Sequence, residues 1–383
     1  MKIGVVGAGI IGTSIAYHLG KAGAQVTVFD IGSPGNGVSS TCFACLNAFG
    51  QPEPDLQFRL DAIRYHSTIA REVGSEQLLH VTGTLRFASS DNGAARLAER
   101  AKCIGENGSL AQHLTASSAG ELAPLVNTHL ATDCVFIPEE GWIEAKTLCE
   151  HLARVSERRF SVEFRRERIL AIGANATQVL VVSHLMGTAA FDRLVLAVGN
   201  ETNALLTSAG MSPVPLTTEP GPLVELSFPK SDETQRHVIY ADNLHIKAGD
   251  HGGFLAGVAP ATDAAPLYER LEKERLDLIG AGRRWLRRFD EMHGKWMVGA
   301  RPMPSDGLPI LGKHDECPTI HIAVMHGGVT LGPLVGRLLA DEMVNGRTDP
   351  RLGRYAYVRF SKAAVRSVAG VLGQRIPSAD VAN

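Results

Sequence analysis

Cysteine is scarce in this chain, and no apolar run is long. Six cysteines, at positions 42, 45, 103, 134, 149 and 317, are spread over 383 residues. They are too few for the disulfide framework that stabilises many secreted domains, so a reducing cytoplasm is the expected location. No apolar run reaches the ~20 residues that a helix needs to cross a bilayer. The sequence therefore predicts a protein without a transmembrane segment.

An excess of charge of either sign is also lacking. The chain has 38 lysines and arginines against 40 aspartates and glutamates, a formal net charge of −2. Nucleic acids and anionic membranes attract dense basic faces, so this balance predicts neither as a partner. The length allows two compact regions, each with its own core, and 44% hydrophobic residues are ordinary for a soluble enzyme.

The first thirty residues carry the pattern of a nucleotide-binding unit. Lys2–Val6 is predicted as a buried strand, GAGIIG follows at residues 7–12, and an amphipathic stretch continues to Ala22. After a break at Gly23, Val26–Asp30 is predicted as a second strand. Strand, glycine-rich turn, helix and strand form the βαβ unit that binds the ADP part of dinucleotides.

Each glycine of the turn has a separate task. Gly7 allows the tight turn, Gly9 lets the backbone approach a pyrophosphate, and Gly12 lets the helix pack closely on the sheet. The helix N-terminus offers N–H groups and a positive dipole end to the phosphates. Asp30 can accept hydrogen bonds from a ribose diol, which disfavours NADP but leaves NAD and FAD open.

Two glycine-rich stretches near the end of the chain separate these cofactors. GARPMPSDGLPILG occupies residues 299–312, and VMHGGVTLGP occupies residues 324–333. The second stretch opens a predicted helix whose apolar residues recur at spacings of three and four. Its N-terminus, preceded by Gly327-Gly328, is a second place where backbone amides can meet an electron-rich ligand edge. A contiguous NAD domain does not need this distant element, so the pattern favours FAD.

Together these segments resemble the D-amino-acid oxidase superfamily of FAD oxidoreductases, which includes glycine oxidase, sarcosine oxidase and D-amino-acid dehydrogenase. The carriers of the resemblance are GVVGAGIIG, VTVFD, GWIEAKTL, LVLAVG, GARPMPSDGLPILG and HGGVTLGP. It implies an α/β fold, in which a discontinuous Rossmann-like FAD-binding domain holds an inserted α+β substrate domain with an antiparallel sheet. The implied FAD-binding domain comprises residues 1–50, 141–215 and 296–383, and the substrate domain comprises residues 51–140 and 216–295.

Local patterns agree with the FAD-binding part. Phe191–Gly199 is a near-continuous apolar run, typical of a central parallel strand. Two strand patterns precede it, at Arg168–Ile172 and Val179–Ser183, joined by a polar turn.

Local patterns also agree with the substrate part. Gly83–Ala88 and Val238–Val258 carry short strand patterns that suit an antiparallel sheet. Pro266–Phe289 is predicted as a long amphipathic helix with proline in its first turn. The basic tail after Tyr357 is expected to be peripheral.

Cys42 and Cys45 form a C-x-x-C, a spacing found in redox dithiols and metal sites. In the superfamily this loop wraps the flavin, and Ser39, Ser40 and Thr41 match its small hydroxyl positions, which suit a pyrophosphate. Cys45 stands where relatives often have a large aromatic residue, which implies a different or roomier site. A metal site would need a second pair, and no metal is expected. Packing thiols are the favoured interpretation, and a redox dithiol stays open.

The resemblance also supplies catalytic candidates. Arg301 matches the arginine that binds the substrate carboxylate in D-amino-acid and glycine oxidases, a planar contact that suits a guanidinium fork. The alternative is a surface or domain-bridging arginine. Lys247 lies in a segment that resembles the strand with the oxygen-activating lysine of monomeric sarcosine oxidase. Three roles are open for it: assisting reoxidation, contacting a second carboxylate, or being a solvated strand lysine.

His326 is placed near the pyrimidine end of the flavin by the same resemblance, and it is the third catalytic candidate. Cys45, Tyr240 and His245 are weaker candidates for lining the substrate site. Gly299 occupies the position of the flavin-linking cysteine of sarcosine oxidase, so FAD is expected to bind non-covalently. The cofactor contacts implied by the motifs and the resemblance are Gly7, Gly9, Ile10, Ile11, Gly12, Asp30, Ser39, Ser40, Thr41, Ile169, Gly199, Gly327, Gly328, Val329 and Thr330.

The resulting hypothesis is an FAD-dependent oxidase or dehydrogenase of amino acids or N-substituted amino acids. Hydride leaves the carbon that bears the nitrogen, and the imine is then hydrolysed. One alternative keeps the fold and oxidises a 2-hydroxy acid or a polyol. Another is a flavin-holding subunit that works only in a heteromeric complex. Dioxygen, a quinone or a carrier protein can accept the electrons, and the oligomeric state is open.

Overall fold

The computed structural model describes residues 1–227, 236–249, 253–259 and 267–360. In these ranges the helices are α1 (Ile10–Lys21), α2 (Asp55–Val73), α3 (Asp91–Glu106), α4 (Ala116–Leu122), α5 (Ala145–Arg159), α6 (Thr202–Ser208), α7 (Leu267–Trp285) and α8 (Gly328–Asn345). The strands are β1 (Lys2–Val6), β2 (Gln25–Asp30), β3 (Cys45–Leu46), β4 (Leu79–His80), β5 (Thr84–Ala88), β6 (Gln112–His113), β7 (Asp133–Ile137), β8 (Gly141–Ile143), β9 (Val162–Arg166), β10 (Ile169–Ala174), β11 (Val179–Ser183), β12 (Gly187–Phe191), β13 (Arg193–Leu196), β14 (Leu216–Ser227), β15 (Val238–Ala241), β16 (Leu244–Ala248), β17 (Phe254–Val258), β18 (His293–Pro304), β19 (Ile310–Lys313) and β20 (Ile320–Val324).

The first sheet has the strand order β19-β20-β13-β1-β2-β9. All its pairings are parallel except that of β19 with β20 at the edge. Val5, Val28 and Val195 are buried and share one core with residues of α1 and α8. Apolar side chains on both faces explain why these strands have no polar alternation. The predicted βαβ unit and the central parallel strand are therefore confirmed.

A three-stranded antiparallel sheet, β10-β11-β12, lies between β9 and β13 in the chain. The turn between its first two strands is fixed by Asn175, whose Oδ1 accepts hydrogen bonds from the N–H groups of Thr177 and Gln178, both at 2.9 Å. Side chains of this type favour turns because they bond to the following backbone. The two strand predictions in this region are confirmed.

The largest sheet, here called the roof sheet, has the order β18-β14-β17-β16-β15-β5-β7-β6. The predicted antiparallel arrangement is confirmed in every described pairing except one, since β5 runs parallel to β15. These two strands come from separate segments of the chain. The long connection between them provides the crossover that a parallel pair requires.

Alternation along the strands gives the roof sheet two different faces. Leu85, Ile239 and Phe254 lie on an apolar face, in one buried cluster with Leu278 of α7. The opposite face, here called the polar face, carries Arg86, Tyr240, His245 and Lys247, beside apolar residues such as Val135 of β7. The roof sheet is thus anchored on one side and can present functional groups on the other.

The predicted helix over 266–289 is confirmed from Leu267 to Trp285. Pro266 lies outside the described residues, as do residues 361–383 of the tail. The domain boundaries stay a prediction, and β18 runs across the one proposed at residue 296.

Three buried histidines connect the stability of the fold to pH. His18, His66 and His321 are 5%, 0% and 1% exposed, and burial lowers their pKa values from 6.5 to about 3, about 4 and about 3. The unfolded chain binds these protons more readily, so stability is full above pH ~6.5 and falls as the pH drops toward the folded-state pKa. We expect the free energy of unfolding to decrease from pH 7 to pH 5, by up to about 1.4 kcal/mol per pH unit for each histidine. Urea unfolding followed by circular dichroism at several pH values measures this.

His321 offers a suitable variant, because neither of its ring nitrogens has a hydrogen-bond partner among the described residues. His321→Leu removes one titrating group from the interior and should flatten the pH dependence. His129→Gln, at an exposed histidine, is the matched control and should leave it unchanged. The same pH dependence in the His321→Leu protein as in the original chain would mean that His321 does not contribute to it.

Candidate active site

The glycine-rich turn after β1 is closely packed. Gly7 has a φ of +101°, and a Cβ atom there would lie 2.3 Å from the carbonyl oxygen of Ala197. At Gly12 a Cβ atom would lie 1.9 Å from the carbonyl oxygen of Gly7. At Gly9 it would meet only Ser39 Oγ, at 3.3 Å. The turn itself therefore requires Gly7 and Gly12 but not Gly9, where the close approach of a pyrophosphate stays a prediction.

Asp30 ends β2 beside this turn. Its carboxylate accepts hydrogen bonds from the N–H groups of Ala8, at 2.7 Å, and Gly32, at 2.8 Å. These bonds hold the turn and the following loop together, a role that the sequence did not reveal. Each carboxylate oxygen can accept more than one bond, so the predicted contact with a ribose diol stays compatible.

The loop after β2 brings hydroxyl groups toward α1. Ser39 Oγ accepts a hydrogen bond from the N–H of Ile10 at 3.0 Å, at the end of the helix where a phosphate is expected. Ser40 Oγ donates instead to the carbonyl oxygen of Gly37 at 2.8 Å. Of these two predicted contacts, Ser39 is the one that reaches the helix.

Thr41 lies against β18. A Cβ atom at Gly299 would be only 2.2 Å from the carbonyl oxygen of Thr41. No side chain fits at position 299 without a shift of this backbone, which supports the prediction that FAD is not attached there.

The first turn of α8 lies against the same region. Gly327, with a φ of +60°, precedes the helix, and a Cβ atom at Gly328 would be 3.0 Å from Ile11 Cδ1. Thr330 Oγ1 donates to the carbonyl oxygen of Cys45 at 3.1 Å. The structure thus brings together three sequence motifs that are far apart in the chain.

His66 on α2 also holds this turn, although the sequence gave no sign of it. Its Nε2 donates to the carbonyl oxygens of Val329 and Thr330, at 3.0 and 3.1 Å. Carbonyls only accept, so Nε2 carries a proton, and burial lowers the pKa of His66 to about 4, which leaves the ring neutral at pH 7.

Gly199 and Ile169 complete the predicted cofactor contacts. Gly199 has a φ of +56° in the turn after β13. Ile169 begins β10 and is buried in one cluster with Val6 and Phe29 of β1 and β2. Both residues therefore lie around the nucleotide-binding unit, and their contacts with FAD stay predictions.

These residues fit an FAD molecule. The first turns of α1 and α8 contain no acidic residue. Their N–H groups and positive dipole ends can therefore meet a pyrophosphate and an electron-rich ring edge. Gly9 and Ser39 add a place for close approach and a hydroxyl group beside the first of these helix ends.

The polar face of the roof sheet collects the predicted substrate residues. Tyr240 pairs with His245 on β16 and with Arg86 on β5, so the three lie in one row. Lys247 is two positions beyond His245 and shares its face. The register through β17 and β14 to β18 places Arg301 on this face as well.

Arg301 is held by its backbone neighbours on this face. Its Nη2 donates to the carbonyl oxygen of Pro220 at 2.6 Å, and a Cβ atom at Gly221 would lie 2.9 Å from its Nε. Nε is buried and has no hydrogen-bond partner among the described residues. Burial lowers the pKa of the guanidinium, although arginine stays charged in proteins. A fixed cation with an unused donor is suited to an anionic ligand.

Two histidines beside Arg301 are kept neutral. Burial, followed by the charge of Arg301, lowers the pKa of His245 to about 3. His326 is exposed at the surface. Desolvation by the neighbouring protein, followed by the charges of Arg301 and Arg59, nevertheless lowers its pKa to about 4. His245 also packs edge-on against the Phe43 ring, with centroids 4.5 Å apart. At neutral pH neither histidine adds a positive charge to the site.

Lys247 is not a solvated strand lysine, so that interpretation is wrong. The residue is 1% exposed. Its Nζ lies 3.9 Å from the centroid of the Trp142 ring and donates to the carbonyl oxygen of Ala248 at 3.1 Å. Its position on the polar face, beneath a tryptophan from a different sheet, explains the burial that the strand pattern did not predict.

The C-x-x-C cysteines have separate surroundings. Cys45 pairs with Trp142 in the β3-β8 ladder, and its Sγ accepts a hydrogen bond from Asn47 Nδ2 at 3.1 Å. Burial raises the pKa of the Cys45 thiol, which lowers its reactivity. Cys42 Sγ donates to the carbonyl oxygen of Ser39 at 3.5 Å. Both are free thiols, and these contacts support packing roles, although the redox alternative stays untested.

Arg59 on α2 was missed by the sequence analysis. Its Nη1 lies 3.5 Å from the carbonyl oxygen of Asn47, and a Cβ atom at Gly327 would be 2.9 Å from its Nη2. A cation thus stands beside the start of α8. The available signal was an arginine set between two apolar residues, Phe58 and Leu60, that face the core.

The described ranges contain no group of histidine, cysteine, aspartate and glutamate residues that could hold a metal ion. No helix within them has the length and apolar character to cross a membrane.

Several known proteins are similar to this chain in sequence and in fold. Residues 2–342 match the family described as FAD dependent oxidoreductase. Glycine oxidase from Bacillus licheniformis is 27% identical over 352 residues, which cover 88% of this chain and 91% of that protein. Glycine oxidase from Geobacillus kaustophilus is 25% identical over 373 residues, 93% of this chain and 96% of that protein. The crystal structure of a glycine oxidase from the latter organism has a TM-score of 0.81 at 23% identity, covering 94% of this chain and 98% of that one.

Proposed function

Because the chain belongs to the FAD-dependent oxidoreductase family, we propose that it oxidises the C–N bond of an amino acid or an N-substituted amino acid. When bound, FAD supplies the hydride acceptor for the carbon that bears the nitrogen. The imine product is then hydrolysed by water. The tasks left to the protein are to bind the carboxylate, to favour the neutral amine and to hold the substrate in place.

The position of Arg301 and its unused donor are the main support for this proposal. It is a cation on the polar face of the roof sheet, fixed through Nη2 and Pro220, and its buried Nε has no partner among the described residues. A carboxylate that accepts from this guanidinium would form a charge-assisted hydrogen bond. The relatives named glycine oxidase act on an amino acid with that group, which agrees with this assignment.

The charges around Arg301 also favour a neutral amine. Desolvation by the surrounding protein, followed by the charges of Arg301 and Arg59, lowers the pKa of His326, so an added positive charge is disfavoured there. A substrate ammonium in the same field would lose its proton more easily than in water. His326 itself, with a pKa of about 4, is a weak base at neutral pH, so we assign it to the wall of the site.

Lys247 is the residue through which the protein could act on the electron acceptor. A buried ammonium stabilises developing negative charge more strongly than one in water. Dioxygen, a quinone and a carrier protein all remain acceptors in this proposal. Mixing the substrate-reduced protein with air-saturated buffer distinguishes fast from slow reaction with dioxygen.

An anaerobic titration tests the proposed function. The purified protein is titrated with glycine, D- and L-amino acids, N-methylglycine and 2-hydroxy acids while the visible flavin absorbance is recorded. We expect one class of carboxylated amine to bleach the flavin. Bleaching by hydroxy acids alone would replace the proposal with alcohol oxidation. A flavin that no compound reduces, together with activity only after addition of a second polypeptide, would identify a subunit of a heteromeric complex.

A further inference from the structure

Glu140 is a buried carboxylate with every oxygen engaged. Its side chain is 1% exposed. Oε1 accepts hydrogen bonds from the N–H groups of Ala48 at 2.7 Å and Phe49 at 2.8 Å. Oε2 accepts from Thr84 Oγ1 at 2.6 Å and Arg86 Nη2 at 3.0 Å. Glu140 therefore ties the segment after the C-x-x-C directly to the roof sheet.

Arg86 extends this contact to two aromatic rings. Its guanidinium carbon lies 4.3 Å from the centroid of Phe49 and 4.1 Å from that of Tyr240. Cation–π contacts of this length are attractive, and more so when the cation is shielded from water. The pair of Glu140 and Arg86 thus fixes both the backbone at residues 48–49 and the ring of Tyr240.

Asn47 connects Tyr240 to Cys45. Its Nδ2 donates to Tyr240 Oη at 2.9 Å and lies 3.1 Å from Cys45 Sγ. Tyr240 is the partner of His245 in the roof sheet, and Cys45 is held by Thr330 at the start of α8. The contacts of Glu140 with Arg86 and with the backbone of residues 48–49 therefore lead to Tyr240 and Cys45, which are predicted to line the substrate site.

A buried ion pair is a poor source of stability, because the cost of removing both charges from water offsets most of their attraction. A role in fixing geometry explains it better. We propose that Glu140 is a positioning residue for the substrate site, acting through Arg86 on Tyr240 and through the backbone on Asn47–Phe49. The assignment of this wall to a substrate site rests on the proposed function, whereas the positioning itself does not.

The test compares Glu140→Gln with Glu139→Gln. The side chain of the adjacent Glu139 is 37% exposed and pairs with Arg64 at 3.2 Å, so Glu139→Gln is the same substitution outside this network of contacts. Glutamine keeps the size of the side chain but loses its charge. Its NH₂ group cannot accept a hydrogen bond, although all four partners of Glu140 are donors. Hydrogen bonds to charged groups contribute about 1.5–3 kcal/mol, so we expect KM for the small substrate to rise by roughly 10–100-fold. We expect kcat to change less.

Two readouts are independent of substrate identity. The first is the rate at which Cys45 reacts with iodoacetamide, followed by mass spectrometry of its peptide. The second is the visible circular dichroism of bound FAD. In the Glu140→Gln protein we expect Cys45 to react several-fold faster and the dichroism to change, while Glu139→Gln matches the original chain. Unchanged Cys45 reactivity and unchanged dichroism would overturn the positioning role, even if no substrate had been found.

Arg86→Lys provides a second route if Glu140→Gln does not fold. It keeps the charge near Glu140 but loses the planar group that lies over Tyr240 and Phe49. The same faster modification of Cys45 is expected. Combining either variant with Tyr240→Phe should give a KM effect that differs from the product of the single effects by more than about three-fold. Independent effects would show that Glu140 does not act through Tyr240.

Discussion

Replacing Gly9 by valine is expected to give a folded protein that binds FAD poorly. Within the protein a Cβ atom at this position meets only Ser39 Oγ, at 3.3 Å, and the backbone φ of −71° suits any residue. A valine side chain would occupy the approach of the pyrophosphate to the N–H groups of α1. Overpacking costs typically about 1–3 kcal/mol, so the dissociation constant of FAD should rise by up to about 100-fold. Flavin fluorescence titration of the apoprotein measures this.

Gly105→Val is the matched control, because a Cβ atom at that helical glycine would have no atom within 4 Å apart from its chain neighbours and the backbone of its own helix. It should bind FAD like the original chain. Gly7→Val is less informative, since its side chain would collide with the carbonyl oxygen of Ala197 whether or not FAD binds. A folded Gly9→Val protein with unchanged affinity would mean that the pyrophosphate lies elsewhere.

The nucleotide-binding half was predictable because its signals are local. A turn that needs glycine at positions 7 and 12 follows a strand and opens a helix, all within thirty residues. The family and the dependence on FAD followed from adding the distant HGGVTLGP segment. The structure shows why that segment matters, since α8 packs against α1, and a Cβ atom at Gly328 would lie 3.0 Å from Ile11 Cδ1.

The roof sheet was less predictable because its contacts are non-local. Strand patterns revealed β5 and β15 but not their parallel pairing, which depends on the path of the chain between them. Lys247 has the alternation of a half-exposed strand, and only the arrival of Trp142 from another sheet buries it. Glu140 gave no signal at all, because its four partners come from two separate segments of the chain. Buried polar groups of this kind are recognised from their hydrogen-bond partners in the structure and not from the sequence pattern around them.

Arg301→Met is expected to lower kcat/KM for the carboxylated amine by about 1,000-fold. The substitution keeps an unbranched apolar stem and removes the guanidinium, with its charge and all its donors. Two charge-assisted hydrogen bonds to a carboxylate contribute together about 4 kcal/mol, and each 1.4 kcal/mol corresponds to a factor of ten. Arg301→Lys keeps the charge without the planar fork, so we expect an intermediate loss of about 10–100-fold. Steady-state kinetics and the substrate dissociation constant, from anaerobic titration, measure both effects.

The sharpest control for Arg301 is the substrate itself. If the guanidinium binds the carboxylate, an amine in which a methyl group replaces that carboxylate should react slowly with every variant and lose little more in Arg301→Met. The fold also has to be shown intact, because Nη2 of Arg301 donates to Pro220 between β14 and β18. FAD affinity and thermal stability close to those of the original chain would exclude a general loss of structure. Equal losses for the two amines would mean that Arg301 joins the strands and does not bind substrate. An unchanged kcat/KM would mean that Arg301 is not the residue that binds the carboxylate.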